Sequence, residues 1–269
     1  MTNDGFSSPG DGRRPRIGLA LSGAVMRGFA HLGVLKVLEA AAIPVDCLAG
    51  SSAGALVGAL YGAGMPVADI EALAMQVRWR DVARPVWPRR GFFRFDRLEE
   101  WLIAQIGDLT FGDLQRPLAV VATDLSAGRP VTFTEGRVAP AVRASCSVPG
   151  IFEPAELDGL LLGDGGVSNN LPVSAARGLG AEFVIGVDLF IPAIRRGWGP
   201  LGFGFAAIET LVRRSGGGVD AADCLISPDV GGASYLRTSQ NRRLVALGAA
   251  AARAALPDIQ AALAGAGSG

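Results

Sequence analysis

Apolar residues in this chain fall into short continuous runs, broken by glycine and proline, alternating with stretches where they recur at helical spacing. Residues 16–21 form the first run and residues 43–49 the second. Between them, residues 29–41 place Leu32, Leu35 and Leu38 on one helical face. Residues 53–61 read as another helix. Runs that are apolar on both faces suit buried parallel strands. The first 60 residues therefore predict strand, loop, helix, strand, tight turn, helix: a parallel βαβ unit. Further strands are expected at 118–123, 130–134, 181–187 and 222–226, and residues 160–166 are an apolar run ending in an acid between glycines. Helices are expected at 66–76, from Asp96 to Ile106 through an Asp96-x-x-Glu99 capping box, at 139–145, and over 241–256 with Pro257 as its stop. The Gly-rich residues 193–219 read as a mobile flap. No internal repeat is visible.

The turn at the end of the second strand carries the most chemistry. Gly50-Ser51-Ser52-Ala53-Gly54 is a G-x-S-x-G motif between an apolar strand and a helix. Such a turn lifts its central serine, Ser52, out of the sheet and points a helix N-terminus at it. In a chain this rich in Gly and Ala the pattern also arises by chance, and the strand-then-helix setting is what favours a nucleophile. The loop 22–28 leaves the first strand on the same edge. Its backbone N–H groups can lie beside Ser52 as an oxyanion hole, or the loop is an ordinary strand-to-helix turn.

His31 is the only histidine. It precedes Ser52, on a largely apolar helix, where a packing role suits it better than catalysis. A Ser-His-Asp triad in the α/β-hydrolase order is excluded. A base for Ser52 must then be something else. No lysine is paired with it in an S-x-x-K motif, a carboxylate is the natural candidate, and Asp164 ends an apolar run before Gly165-Gly166. A plain turn aspartate is the alternative. As a base, Asp164 would take the serine proton and later activate water, with partial burial raising its pKa.

Composition adds bounds. With 269 residues, 49% of them hydrophobic, the chain can bury a sizeable core. The expectation is one domain over 16–265 behind a disordered tail, 1–15. Zero net charge gives no pull toward nucleic acid. Three scattered cysteines, Cys47, Cys146 and Cys224, form no C-x-x-C and suit free thiols in a reducing compartment. The polar first residues lack the apolar core of a signal peptide. The uncharged run 47–68 is long enough to suggest a membrane span, but Gly62, Gly64 and Pro66 interrupt it. The expected location is cytoplasmic. No metal-ligand cluster, Walker A or dinucleotide motif is present, so no cofactor is expected.

Residues 78–97 hold seven arginines and two aspartates among five aromatics. Three readings stand: an irregular loop with its aromatics packed beneath it, a patch for anionic lipid headgroups, and a single-strand nucleic-acid surface, in that order. Peripheral contact with the inner face of a membrane is expected through 78–97 and 195–214.

Four segments together resemble the patatin-like phospholipase family. They are residues 19–35 (LALSGAVMRGFAHLGVL), the elbow Gly50 to Gly54, residues 144–152 (ASCSVPGIF), and Asp164-Gly165-Gly166. The resemblance implies an α/β protein, a three-layer α/β/α sandwich with a mainly parallel central sheet. It implies lipase or phospholipase A chemistry on lipid esters through a Ser52–Asp164 dyad and an acyl-enzyme. By position, Gly23, Ala24 and Val25 match the loop that offers oxyanion N–H groups, and Arg27 matches its arginine. Ala24 and Val25 stand where the family often has glycine, which leaves a catalytically weak or silent lipid- or protein-binding regulator as the alternative function. An acyltransferase using the same acyl-enzyme is a third.

Overall fold

The computed structural model describes residues 14–191, 199–235 and 238–266. In chain order the elements are β1 (Ile17–Leu21), α1 (Phe29–Ala40), β2 (Cys47–Ser51), α2 (Ala53–Gly62), α3 (Val67–Gln76), α4 (Trp79–Val82), β3 (Arg84–Pro85), β4 (Phe93–Arg94), α5 (Asp96–Ile106), β5 (Leu118–Asp124), β6 (Arg129–Phe133), α6 (Val138–Ser145), β7 (Ala155–Leu157), β8 (Leu160–Asp164), α7 (Gly166–Asn169), α8 (Val173–Gly178), β9 (Phe183–Val187), α9 (Pro200–Arg214), α10 (Gly218–Ala221), β10 (Cys224–Ile226) and α11 (Asn241–Ala266).

The main sheet is mixed. β10, β9, β1, β2 and β5 are parallel neighbours in that order. Each of β1, β2, β5 and β9 is buried along its length, as continuous apolar strands require. Successive side chains of β1 point to opposite layers: Ile17, Leu19 and Leu21 join the larger core with α1, α2, α3, α5 and α11, and Ala20 joins a smaller one with α8. This is the three-layer α/β/α arrangement.

The far end of the sheet is antiparallel. β6 pairs along residues 120–124 of β5 and covers one edge. The opposite edge of β5 is shared end to end, with β2 along 118–121 and β8 along 122–124. β8 arrives through a hairpin from β7 whose turn, Asp158-Gly159, has positive φ at both residues (51° and 76°). Asp-Gly is the sequence such a turn favours.

Three expectations are corrected. α11 runs through Pro257 to Ala266, because its Ala-rich sequence propagates on both sides and buried Ile259 anchors the outer turns. Asp96 does not cap α5: it lies inside the helix behind Phe95, and its carboxylate accepts from Arg84 Nε at 2.7 Å. Residues 200–214 of the expected flap form the helix α9, and 193–198 lie outside the described residues, as do 1–13 of the expected tail. The uncharged run 47–68 divides into β2, the elbow and α2, and no helix among the described residues is long and apolar enough to cross a membrane.

α1 and α11 cross at contact distance through glycine. A Cβ on Gly33 would sit 2.0 Å from the Val245 carbonyl oxygen, and one on Gly248 would sit 1.9 Å from that of Ala30. This crossing fixes α1, and α1 in turn holds the loop that follows β1.

Candidate active site

Ser52 stands at the elbow between β2 and α2 with φ 52° and ψ −121°. A non-glycine residue in this region carries about 1–3 kcal/mol of strain and persists only where its surroundings hold it. Here they do. Cβ atoms on Gly50 and Gly54 would fall 2.5 Å from the Ala55 nitrogen and 2.1 Å from the Leu21 oxygen, so both flanks must be glycine. The Ser52 N–H donates to Ser145 Oγ at 2.8 Å, and Ser145 Oγ donates to the Val121 carbonyl at 2.6 Å. α2 makes its first carbonyl-to-amide bond from Ser52 to Leu56, which leaves its leading N–H groups, beginning at Ala53, beside the serine.

Asp164 reaches the same place by the sheet register. Ser51 pairs with Val121, and Asp164 pairs with Ala122 on the same edge of β5. β2 and β8 therefore run toward each other and stop on adjacent rungs. Gly165 lets the chain turn there: a Cβ would lie 2.1 Å from the Val121 oxygen and 2.7 Å from Ser51 Oγ. Asp164 is 7% exposed. Its Oδ1 accepts the Gly166 N–H at 2.8 Å, and Oδ2 is buried with no well-formed hydrogen bond among the described residues. Burial raises its pKa from the usual 3.8 to about 6, against the opposing effects of the adjacent Ser52 hydroxyl and the Gly166 N–H. The structure thus brings Ser52 and Asp164 together.

The loop after β1 lies against them. A Cβ on Gly23 would be 3.0 Å from Ser52 Cβ. Ser22 is pinned on three sides: its N–H donates to Val187, its Oγ accepts from Leu189 N–H, and its carbonyl lies 2.8 Å from His31 Nε2. A carbonyl only accepts, so Nε2 carries the proton. Burial lowers the His31 pKa from 6.5 to about 4, so the ring is neutral and serves the loop as a fixed donor. Ala24 has an extended φ of −170°, but Val25 has φ 50°. The left-handed angle that glycine adopts freely is therefore kept, with a β-branched residue in it.

The four residues expected to face an oxyanion divide into two pairs. Among the described residues, the Ala24 and Val25 N–H groups have no acceptor. Gly23 and Arg27 have partners within the fold. The Gly23 N–H is shared between the carbonyl and Oδ1 of Asn170, at 3.3 and 3.1 Å. Arg27 is fully buried and donates to the carbonyls of Ile191, Gly231 and Ala233 and to the Tyr235 hydroxyl, over whose ring it also lies at 3.8 Å. Its guanidinium braces the loop from behind.

Ser145 and Asn170 are the site residues that the motif reading did not single out. Ser145 also accepts the Gly165 N–H through its carbonyl at 3.2 Å, so it touches the elbow, β5 and the aspartate turn. Asn170 joins the β1 loop to that turn. A serine at a helix end before a Ser-Val-Pro turn and paired asparagines after Gly-Gly were the available signals.

A cavity of about 160 Å³ opens beside Ser52. Leu56, Leu60, Ile70 and Ala74 line it from α2 and α3, and Trp79, Phe95 and Phe152 close it. Phe95 stacks on Phe152 with centroids 3.6 Å apart. Part of the Arg-aromatic segment thus packs inward, while Trp87 and Phe92 remain largely exposed. Cys146 lies on the same wall, its thiol held protonated by burial.

The model of the patatin-like phospholipase family matches residues 19–177, a span that includes the loop after β1, Ser52 and Asp164. This chain belongs to that family. Among curated relatives, an uncharacterized NTE family protein of Mycobacterium tuberculosis is 35% identical over 178 residues, 65% of this chain and 49% of the relative. Lysophospholipase nte1 of Aspergillus fumigatus is 34% identical over 179 residues, 64% of this chain but 12% of the relative. This patatin-like chain spans about half the length of the mycobacterial relatives it matches and much less of the fungal ones. Among solved structures, VipD from Legionella pneumophila superposes with TM-score 0.57 at 14% identity, covering 91% of this chain and 67% of VipD. The type III effector ExoU superposes with TM-score 0.52 at 16% identity, covering 91% and 53%. These likenesses establish the shared fold.

Proposed function

We propose that this patatin-like chain hydrolyses lipid acyl esters, with Ser52 as nucleophile and Asp164 as base. The observation that carries the reading is the meeting of a strained serine, one residue past the end of β2, with a buried, weakly acidic carboxyl at the end of β8, where the two strands stop on adjacent rungs of β5 beside an apolar cavity. The acyl chain lies in the cavity and the ester carbonyl sits over Ser52. As Ser52 Oγ attacks, its proton passes to Asp164. The negative charge on the former carbonyl oxygen meets the Ala24 and Val25 N–H groups and the leading end of α2. Collapse of the adduct expels the alcohol, which takes the proton from Asp164, and leaves the acyl group on Ser52. Asp164 then takes a proton from water as that water attacks the acyl-enzyme, and Ser52 is regenerated with release of the acid. The name of the relative lysophospholipase nte1 supports a monoacyl lipid as one substrate class.

A fluorophosphonate probe with the parent and Ser52→Ala proteins tests this. Labelling at Ser52, together with a loss of p-nitrophenyl ester turnover of at least about a thousandfold in Ser52→Ala, is expected. Turnover by Ser52→Ala at the parent rate overturns it.

A further inference from the structure

Four large apolar side chains stand exposed in one place that the cavity does not use: Trp87, Phe92, Phe93 and Ile151, at 81%, 60%, 41% and 47% exposure. They come from two segments, the β3–β4 hairpin and the turn before β7. Backbone bonds clamp the two together. The N–H groups of Phe92 and Phe93 both donate to the Ile151 carbonyl, at 2.9 and 3.0 Å, and the Glu153 N–H donates to the Phe93 carbonyl at 2.8 Å. Gly91 permits the close approach, since a Cβ there would lie 2.5 Å from the backbone of residues 152 and 153. The aromatics are thus held on a fixed platform. A soluble surface gains nothing from displaying them, because each keeps apolar area in water.

The patch is continuous with the cavity. Phe152 lies 6.0 Å from the exposed Phe93 ring on one side and stacks on the cavity-lining Phe95 on the other. Whatever covers the patch therefore meets the mouth of the acyl cavity. The surrounding charge is positive but mostly spent within the fold. Arg80, Arg84, Arg90 and Arg94 pair with Asp81, Asp96, Glu156 and Glu153. Among the described residues, Arg78, Arg89 and Arg97 are exposed and have no acidic partner.

We propose that the β3–β4 hairpin and Ile151 seat this face on a phospholipid bilayer, with Trp87 and Phe92 entering the headgroup layer and the unpaired arginines meeting lipid phosphates. Trp favours that depth because it has an apolar body and a polar N–H. Since most of the arginines are already paired, the aromatics supply the larger share of the affinity and salt has a modest effect. The inference deepens the proposed hydrolase reading by naming where the substrate lies, a bilayer surface, but binding is read without turnover and can succeed or fail independently of it.

The test is co-sedimentation of the full chain with phosphatidylcholine vesicles containing about one fifth phosphatidylglycerol, at low salt and at about 0.5 M NaCl, for the parent and for a Trp87→Ser/Phe92→Ser variant. Neither residue lines the cavity, so the variant should melt like the parent and turn over p-nitrophenyl butyrate within about twofold of it. Parent binding that falls no more than about threefold in high salt, and at least about tenfold in the variant, is expected. The proposal is overturned if the variant binds as the parent does, if salt alone abolishes binding, or if sedimentation velocity shows the parent self-associating through this patch without lipid. A variant that loses its fold is replaced by Trp87→Ser alone, read by the same criteria.

Discussion

Ser145 holds Ser52 by its backbone, accepting the Ser52 N–H at 2.8 Å while donating to the Val121 carbonyl at 2.6 Å. One hydroxyl at the end of α6 thereby fixes the conformation of a residue 93 positions earlier. The Ser52 side chain stays free to react because its amide is what the fold restrains.

Ser145→Ala leaves a buried N–H and a buried carbonyl without a partner. The expected outcome is a loss of about 1–3 kcal/mol in stability, read by chemical denaturation, together with a fall in kcat at little-changed KM. Ser145→Thr, which keeps the hydroxyl, should recover most of kcat.

Asp164 sets the pH dependence. On the proposed mechanism it must be ionised to act, so kcat/KM for a soluble ester should rise with pH through a single limb near pH 6, where the buried carboxyl titrates. The stability effect has the opposite slope. The folded pKa lies above the unfolded one, so the native state binds more protons between about pH 4 and 6 and loses stability as pH rises through that window. Asp164→Asn removes this cost. It should be more stable than the parent above pH 7, by up to about 3 kcal/mol, with the difference shrinking toward pH 4. Melts of both proteins across pH 4–8 check the sign.

Val25 carries a φ of 50°, an angle that costs a β-branched residue on the order of 1–2 kcal/mol. Val25→Gly relieves it without changing the backbone path. A rise in thermal midpoint of about 2–4 °C is expected, with esterase activity retained or increased. A fall in midpoint would mean that Val25 gains more from its packing at the cavity wall than it loses in strain.

The cavity bounds the acyl group. Ala74→Phe on α3 adds a ring to its lining. Turnover of p-nitrophenyl esters should fall more for long chains than for acetate, by about tenfold or more at the longest chain still soluble. An equal loss at every length would place the acyl chain elsewhere.

Much of this was legible because it is local. The apolar runs gave the parallel strands, and Gly50 and Gly54 gave the elbow, since each glycine answers a nearby backbone clash. With a single histidine in the chain, a carboxylate such as Asp164 is the natural partner for Ser52, but only pairing among strands set far apart in sequence places the two side by side. The loop after β1 is legible from the apolar run before it, yet which of its donors stay free depends on Asn170 and on the 231–235 segment, both remote in sequence. Which of the arginines at 78–97 are neutralised is not written in that window, because Glu153 and Glu156, which pair with two of them, lie beyond it. Pro257 failed as a stop because burial of Ile259 outweighed the lost hydrogen bond.

β5 contributes no reacting atom, yet it is the gauge of the chemistry. The strands that deliver Ser52 and Asp164 never bond each other, and each is measured against its own stretch of β5. Slippage of either by two residues would preserve every inward and outward side chain and still carry the hydroxyl and the carboxyl roughly 7 Å further apart or into collision. The spacing of Ser52 and Asp164 is thus a property of a bystander, and on the proposed mechanism damage to β5 would silence turnover while both side chains remained intact.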